Sequence, residues 1–137
     1  MNVDVEIKRL PHSEGIELPH YASAHAAGMD IRAAVDTAVT LKPLERRVIP
    51  TGFSLAIPAG YEAQIRPRSG MALKKGLSIP NSPGTIDADY RGEVGVIVIN
   101  LSNENIMIER GERIAKMIFA PVAHATLQEV ELLDATD

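Results

Sequence analysis

Between Asn81 and Glu93 the chain reads Asn-Ser-Pro-Gly-Thr-Ile-Asp-Ala-Asp-Tyr-Arg-Gly-Glu, a run that concentrates paired aspartates, a tyrosine, an arginine and glycines between apolar segments. Asp87 and Asp89 are separated by one residue. On an extended backbone both carboxylates share one face and repel, which raises one pKa and suits a base or a metal-associated site. A turn at Ala88 splays them instead, and the run is then a charged hairpin loop. Tyr90 joins a flat apolar face to a hydroxyl, so it can stack on a sugar or base while Gly92 lets that partner approach the backbone. A core tyrosine is the plainer alternative.

A second candidate is Arg66-Pro67-Arg68-Ser69-Gly70. At a helix start it brings guanidinium groups, a hydroxyl and unpaired backbone amides together, which is a reasonable cradle for phosphate oxygens. It is not a P-loop, because the Gly-x-x-x-x-Gly-Lys-Ser/Thr spacing is absent, and a simple capped helix start explains it equally well. Arg113, within Gly111 to Lys116, reads as part of a solvated β face. His12, His20, His25 and His124 are scattered and form no His-x-x-x-His pair, so no zinc ligand set is evident.

The elements that must position these residues are mostly short strands. Val3 to Leu10 alternates apolar and charged residues, the pattern of a strand with one buried face, and Ile16 to Leu18 reads as another brief strand stopped by Pro19. Tyr21 to Gly28 reads as loop and Gly28 to Ala33 as a glycine-led strand. Ala38 to Leu41, Glu45 to Ile49 and Phe53 to Ile57 read as three strands, and Tyr61 to Arg66 as the next. Met71 to Lys75 is the best helix former, about two turns with Ser69 as its cap and Gly76 as its stop. Val94 to Leu101 gives the clearest strand signal, followed by Ile106 to Ile108 and Arg113 to Phe119, with a final strand expected among Leu127, Val130, Leu132 and Leu133. Many short strands, one short helix and repeated Pro/Gly turns predict an all-β sandwich or barrel.

Composition narrows the function. The 137 residues suit one domain, 1–137, and 45% hydrophobic residues with only 4% aromatic mean a core of Val, Ile, Leu, Ala and Met. A net charge of −4 without a dense basic block lacks the footprint of a nucleic-acid binder, although a few arginines can still meet a small anion. The absence of cysteine excludes disulfides, thiolate metal ligands and a thiol nucleophile. Neither a signal peptide nor a run long enough to span a membrane is present, so a soluble cytoplasmic protein with no membrane or nucleic-acid partner is expected.

Four runs, in order, carry a resemblance to a known family. Ala27-Gly-Met-Asp-Ile-Arg-Ala33, Pro67-Arg-Ser-Gly70, Gly84-Thr-Ile-Asp-Ala-Asp-Tyr-Arg-Gly-Glu93 and Gly111-Glu-Arg-Ile-Ala115 together resemble the motifs of the trimeric dUTP diphosphatases. Each is short, but their combination and order are highly specific. The resemblance implies a distorted jelly-roll β fold and a homotrimer with active sites at subunit interfaces. It also implies Mg²⁺-dependent hydrolysis of dUTP to dUMP and pyrophosphate, which limits uracil incorporation into DNA and supplies dUMP for thymidylate synthesis.

The same resemblance implies roles by position. Asp87 would activate the water that attacks the α-phosphorus. Tyr90 would pack beneath the deoxyribose so that a 2′-hydroxyl does not fit. Asn81, with the neighbouring backbone of Gly84, Thr85 and Ile86, would read the uracil edge. Arg68, Ser69, Gly70 and Lys116 would bind the phosphate chain, and Asp30 would help organise the hydrated metal through water. A hard Mg²⁺ ion held mainly by triphosphate oxygens and water needs no dedicated protein cage.

Two departures accompany the resemblance. The fourth motif usually continues with glutamine, where this chain has Lys116, a cationic donor without the amide's acceptor. A fifth, glycine-rich motif carrying arginine and phenylalanine, which closes over the nucleotide in the family, is not found before Asp137; without such a lid, weaker closure and lower turnover are expected. Two other functions fit parts of the pattern. A dCTP deaminase of the same fold would release ammonia from the base, but the glycine of Pro67 to Gly70 and the Asp87-x-x-Tyr90 spacing favour the diphosphatase. A non-hydrolytic dUTP-binding regulator is suggested by Lys116 and the missing lid, and the presence of Asp87 argues against it.

Overall fold

The computed structural model describes residues 1–137. Its strands are β1 (Glu6–Arg9), β2 (Met29–Arg32), β3 (Val39–Leu41), β4 (Arg46–Ala56), β5 (Tyr61–Arg66), β6 (Leu77–Ser78), β7 (Gly84–Ile86), β8 (Glu93–Asn100), β9 (Ile106–Ile108) and β10 (Arg113–Pro121). One α-helix, α1 (Ser69–Lys75), and a 3-10 turn at Pro11–Ser13 complete the inventory. Two four-stranded sheets, ordered β1-β4-β8-β6 and β2-β10-β5-β7, and a two-stranded β3-β9 ribbon are antiparallel throughout. Strands distant in sequence are neighbours in both larger sheets, as in a distorted jelly-roll sandwich, and neither sheet closes into a barrel.

The period-2 pattern of β8 shows why this sequence folds as it does. Val94, Val96, Val98 and Asn100 are buried on one face while Gly95, Ile97 and Ile99 lie outward. The inward set joins Ile31, Leu41, Ile49, Ile108 and Met117 in the buried interior, whose hydrophobic cluster counts 21 residues. Full burial of a Val or Ile contributes about 1.5–3 kcal/mol each, so this aliphatic core drives folding without a tryptophan. Asn100 is the polar exception. Its Nδ2 donates to the Leu41 and Glu104 carbonyls at 3.0 and 2.7 Å, and its Oδ1 accepts from the Ser102 backbone and hydroxyl at 2.8 Å each. The buried amide therefore staples β3, β8 and the following turn with every hydrogen-bonding position used.

Several elements differ from expectation. The two strands expected at Glu45 to Ile49 and Phe53 to Ile57 are one strand, β4, which passes through Pro50-Thr51-Gly52 by a register shift between Pro50 and Ser54. Gly52, at φ +74°, absorbs the irregularity. The Ser13 hydroxyl lies within hydrogen-bond distance of the Gly52 and Leu10 carbonyls at 2.9 and 3.0 Å, packing the 3-10 turn against this bulge.

Ile16 to Leu18 forms no strand. The Ser13 and Ile16 carbonyls instead accept from the Arg9 guanidinium at 2.7 Å each, so a side chain replaces a ladder. β1 has no buried face: its four residues are exposed, and the apolar anchors Val3 and Val5 precede it. Ser69 is the first helical residue rather than the cap of α1; Arg68, extended at φ −84° and ψ 129°, holds the cap position. Gly76 stops the helix as expected, in the left-handed region at φ 74°. Residues 122–137 contain no strand, and Leu127, Leu132 and Leu133 are exposed, because no free strand within the chain pairs with them.

Candidate active site

Sheet β2-β10-β5-β7 positions most of the candidate residues. Lys116 on β10 lies opposite Asp30 on β2 and Arg66 on β5. Cross-strand partners share a face. Since Ile31, Ile65, Ala115 and Met117, one position along, are buried, Lys116, Asp30 and Arg66 point away from the core. Asp30 is clamped there. Its Oδ1 accepts from Arg68 Nε at 3.2 Å and its Oδ2 lies 3.6 Å from an Arg113 guanidinium nitrogen, leaving the carboxylate side chain only 19% exposed. Arg113, expected on a merely solvated face, is therefore part of this cluster. Ser69 and Gly70 are exposed at the start of α1, where no side chain caps the first amides.

β7 lies on the far side of β5, with Gly84, Thr85 and Ile86 opposite Ile65, Gln64 and Ala63. It is a short edge strand inside what reads locally as a loop. Together with Asn81 these three residues line a cavity of about 180 Å³ whose apolar walls include Ile65, Ile79 and Ile97. A Cβ at Gly84 would lie 3.2 Å from Asn81 Nδ2 and 3.5 Å from Ile65 Cβ, so glycine lets the Asn81 amide close against the strand. The preceding Ser82–Pro83 peptide is cis.

Beyond β7 the backbone turns. The Tyr90 N–H donates to the Asp87 carbonyl at 3.1 Å, and Ala88 and Asp89 form the turn, so the splayed arrangement holds rather than two carboxylates on one strand face. Asp87 is exposed and, with Asp89, Glu62 and His124, borders a separate cavity of about 320 Å³. The Arg91 guanidinium donates to the Ala88 carbonyl and braces the turn.

Tyr90 is 44% exposed, and its hydroxyl donates to the Glu93 carbonyl at 2.8 Å. A Cβ at Gly92 would lie 2.6 Å from the Tyr90 hydroxyl oxygen. Gly92 thus makes room for the ring of Tyr90 itself, rather than for an approaching partner. The Asn81 cavity, the Asp87 cavity and the Asp30–Arg68–Lys116 cluster have no lining residue in common.

The whole length of the chain except its first residues matches a family model: residues 14–137 match that of dUTPase. The chain belongs to the dUTPase family. It is 60% identical over 120 residues to the deoxyuridine 5′-triphosphate nucleotidohydrolase of Aquifex aeolicus, covering 88% of this chain and 80% of that one. To the protein of the same description from Syntrophotalea carbinolica it is 53% identical over 135 residues, covering 98% and 90%. Among solved structures, the Staphylococcus bacteriophage 80alpha dUTPase with dUPNHPP superposes with a TM-score of 0.86 at 27% identity, covering 98% of this chain and 92% of that chain. A mutant dUTPase from phage phi11 of S. aureus, described with a structural Mg(II) ion, gives 0.85 at 25% identity, covering 96% and 99%.

Within the dUTPase fold seen here, the motif residues fall into these three groups, with Tyr90 and Glu93 apart from them, and two side chains outside the expected set touch motif residues. Arg113 reaches Asp30, as described above. His12 Nε2 lies 2.6 Å from Glu93 Oε2, which also accepts the Gly52 N–H at 2.9 Å. Nothing local in the sequence signals the second pair, because its members are 81 positions apart and the 3-10 turn that presents His12 reads only as a polar bend. No group of three or more His, Cys, Asp or Glu side chains is arranged to hold a metal ion. No helix is long and apolar enough to cross a membrane.

Proposed function

We propose that this member of the dUTPase family hydrolyses dUTP to dUMP and pyrophosphate with the motif residues divided among base, sugar and phosphates. What carries the reading is the convergence of Asn81, Gly84, Thr85 and Ile86 on one small cavity, in a chain matched by the family model over residues 14–137. About 180 Å³ is below the range of pockets that enclose whole drug-sized ligands, and suits a single heterocycle. The Asn81 amide and the polar edge of β7 would hydrogen-bond uracil. Cytosine, an acceptor at N3 and a donor at the 4-position where uracil has the reverse, would leave buried polar groups unpaired, and that mismatch is costly.

Tyr90 would lie against the deoxyribose, leaving no room for a 2′-hydroxyl. Arg68, Ser69, Gly70 and Lys116 would bind the triphosphate, the arginine with a planar fork and the lysine as a point charge. Asp87 would accept a proton from a water whose oxygen attacks the α-phosphorus. The bond from that phosphorus to the bridging oxygen breaks and pyrophosphate leaves with the electron pair.

Mg²⁺ fits this donor set in one way. Both oxygens of Asp30 already face guanidinium groups and no group of three or more ligating side chains is present, so triphosphate oxygens and water would supply the ligands, with Asp30 acting through water. The ion would supply positive charge where negative charge develops.

The family resemblance implies a homotrimer with sites completed at interfaces, and the separation of these groups on one chain is compatible with such completion. A single domain spanning 1–137 and a cytoplasmic location complete the proposal. The test is an Mg²⁺-dependent product assay across dUTP, dCTP, dTTP and UTP, with native mass measurement of the assembly. dUMP and pyrophosphate from dUTP alone are expected. Ammonia from dCTP, or tight dUTP binding without product, would sink the reading.

A further inference from the structure

The sugar-stacking role proposed for Tyr90 uses its ring and leaves its hydroxyl unexplained, since phenylalanine offers the same flat face. In the structure that hydroxyl bonds to the Glu93 carbonyl at 2.8 Å and folds the ring back over Gly92. Glu93 is itself held. Its Oε2 accepts the Gly52 N–H at 2.9 Å, at the bulge of β4, and lies 2.6 Å from His12 Nε2. His12 sits in a turn whose carbonyl accepts from Arg110 at 2.8 Å. The His12 and Glu93 side chains are about two-thirds buried, at 34% and 31% exposure, so the linkage is partly shielded from water.

We propose that Glu93 and His12 are positioning residues for Tyr90, forming with its hydroxyl a tether that sets the ring's height and thereby the rejection of ribonucleotides. This rests on the reading of Tyr90 as the sugar platform. The physical reason is the exposure of the ring: at 44% exposed, few neighbours hold it, and without its hydroxyl bond it can turn about its side-chain torsions. A ring free to drop away makes space for a 2′-hydroxyl. Discrimination is then lost while the apolar face still binds deoxyribose.

The experiment compares kcat/KM for dUTP with kcat/KM for UTP in the full chain with Mg²⁺. Tyr90→Phe should lower that ratio roughly fivefold, the worth of one hydrogen bond. Glu93→Ala should lower it similarly, and Glu93→Gln, which keeps an acceptor for the Gly52 N–H, should restore most of it. Adding Glu93→Ala to Tyr90→Phe should cause no further loss, because the Glu93 side chain reaches the ring only by holding the backbone carbonyl that the hydroxyl bonds. Additive losses, or an unchanged ratio in Tyr90→Phe while Tyr90→Ala collapses it, would refute the tether and leave the platform standing. An unchanged ratio in Tyr90→Ala would remove the platform itself, and the tether with it. Should Glu93→Ala fail to fold, His12→Ala decides in its place: it leaves Tyr90 and Glu93 unchanged and should lower the ratio in the same direction, and an unchanged ratio there would refute the tether.

Discussion

Gly52→Ala should be among the most damaging single-methyl additions this chain can suffer. At φ +74° a Cβ is strained whatever the space around it, and here the added atom would collide with Ser13 Cβ while lying 2.9 Å from Ser13 Oγ and 3.1 Å from Ala34 Cβ. The backbone conformation alone costs about 1 kcal/mol relative to glycine. Forcing the buried Ser13 aside adds overpacking of about 1–3 kcal/mol. Displacing its hydroxyl from the Gly52 and Leu10 carbonyls forfeits about 1 kcal/mol more. The expected loss is therefore about 3–5 kcal/mol, a large share of the roughly 5–15 kcal/mol typical of a domain. At roughly 3 °C per kcal/mol for a chain of this size, Tm should fall by about 10–15 °C.

The assay is thermal unfolding at fixed protein concentration, since self-association would otherwise shift Tm by mass action. Ser13→Gly supplies the control. It removes the atom that collides, so in the Gly52→Ala background it should return the overpacking part, a coupling of about 1–3 kcal/mol, while the backbone part remains. Simple additivity of the two substitutions, or a loss below about 1 kcal/mol for Gly52→Ala, would refute the clash as the cause.

Asp87→Asn should reduce kcat by about 10²–10⁴ with dUTP binding retained, as steady-state and equilibrium-binding measurements would show, if Asp87 accepts the proton as proposed. Asn100→Ala should cost about 2–4 kcal/mol in urea unfolding, since it strands buried carbonyls and the Ser102 donors that the amide now satisfies. The backbone N–H of Lys42, and then Arg47, hold the Glu45 carboxyl below its ordinary pKa. Its contribution to stability is therefore present above the unfolded carboxylate value and lost as pH falls through the lowered folded value. In Glu45→Gln the stability difference from the parent should vanish at acid pH and reappear towards neutrality; a pH-independent difference would contradict the assignment.

Strand positions are legible in the sequence where burial on one side imposes alternation. β8 reads directly from Val94 to Asn100 because its inward face meets the core, whereas β4 reads as two strands because Pro50 and Gly52 are usual strand breakers. Their effect is cancelled by a bulge and by Ser13 from a distant turn, a contact no local pattern contains. The apolar residues near the C-terminus show the converse: Leu127, Val130, Leu132 and Leu133 suggest a strand, but an apolar pattern signals a need for burial without supplying a partner. At the site, residue types and their spacing mark Arg68, Asp87 and Tyr90 as candidates, and Asp30 and Asn81 are added only by the resemblance to the family's motifs. Arg113 and His12 escape because their roles arise from cross-sheet geometry, through Asp30 and Glu93, rather than from neighbours in sequence.

That geometry also reconciles an acidic chain with an anionic substrate. The net charge of −4 would repel a triphosphate if it were spread evenly, yet Arg68 and Arg113 pair with one aspartate, Asp30, and Lys116 and then Arg66 follow it across the outward face of the β2-β10-β5-β7 sheet. Local charge outweighs net charge at such range, because screening by salt confines the distant carboxylates' influence to about 10 Å or less. Asp30 has a structural part in this. By pairing with Arg68 and Arg113 at once it offsets their mutual repulsion, so the two guanidinium groups are held together without a bound anion. The lysine at position 116 adds a further positive charge beside that carboxylate, where the family's usual glutamine would add none. The face is accordingly tuned towards charge rather than towards the directional donor and acceptor pairing an amide would bring.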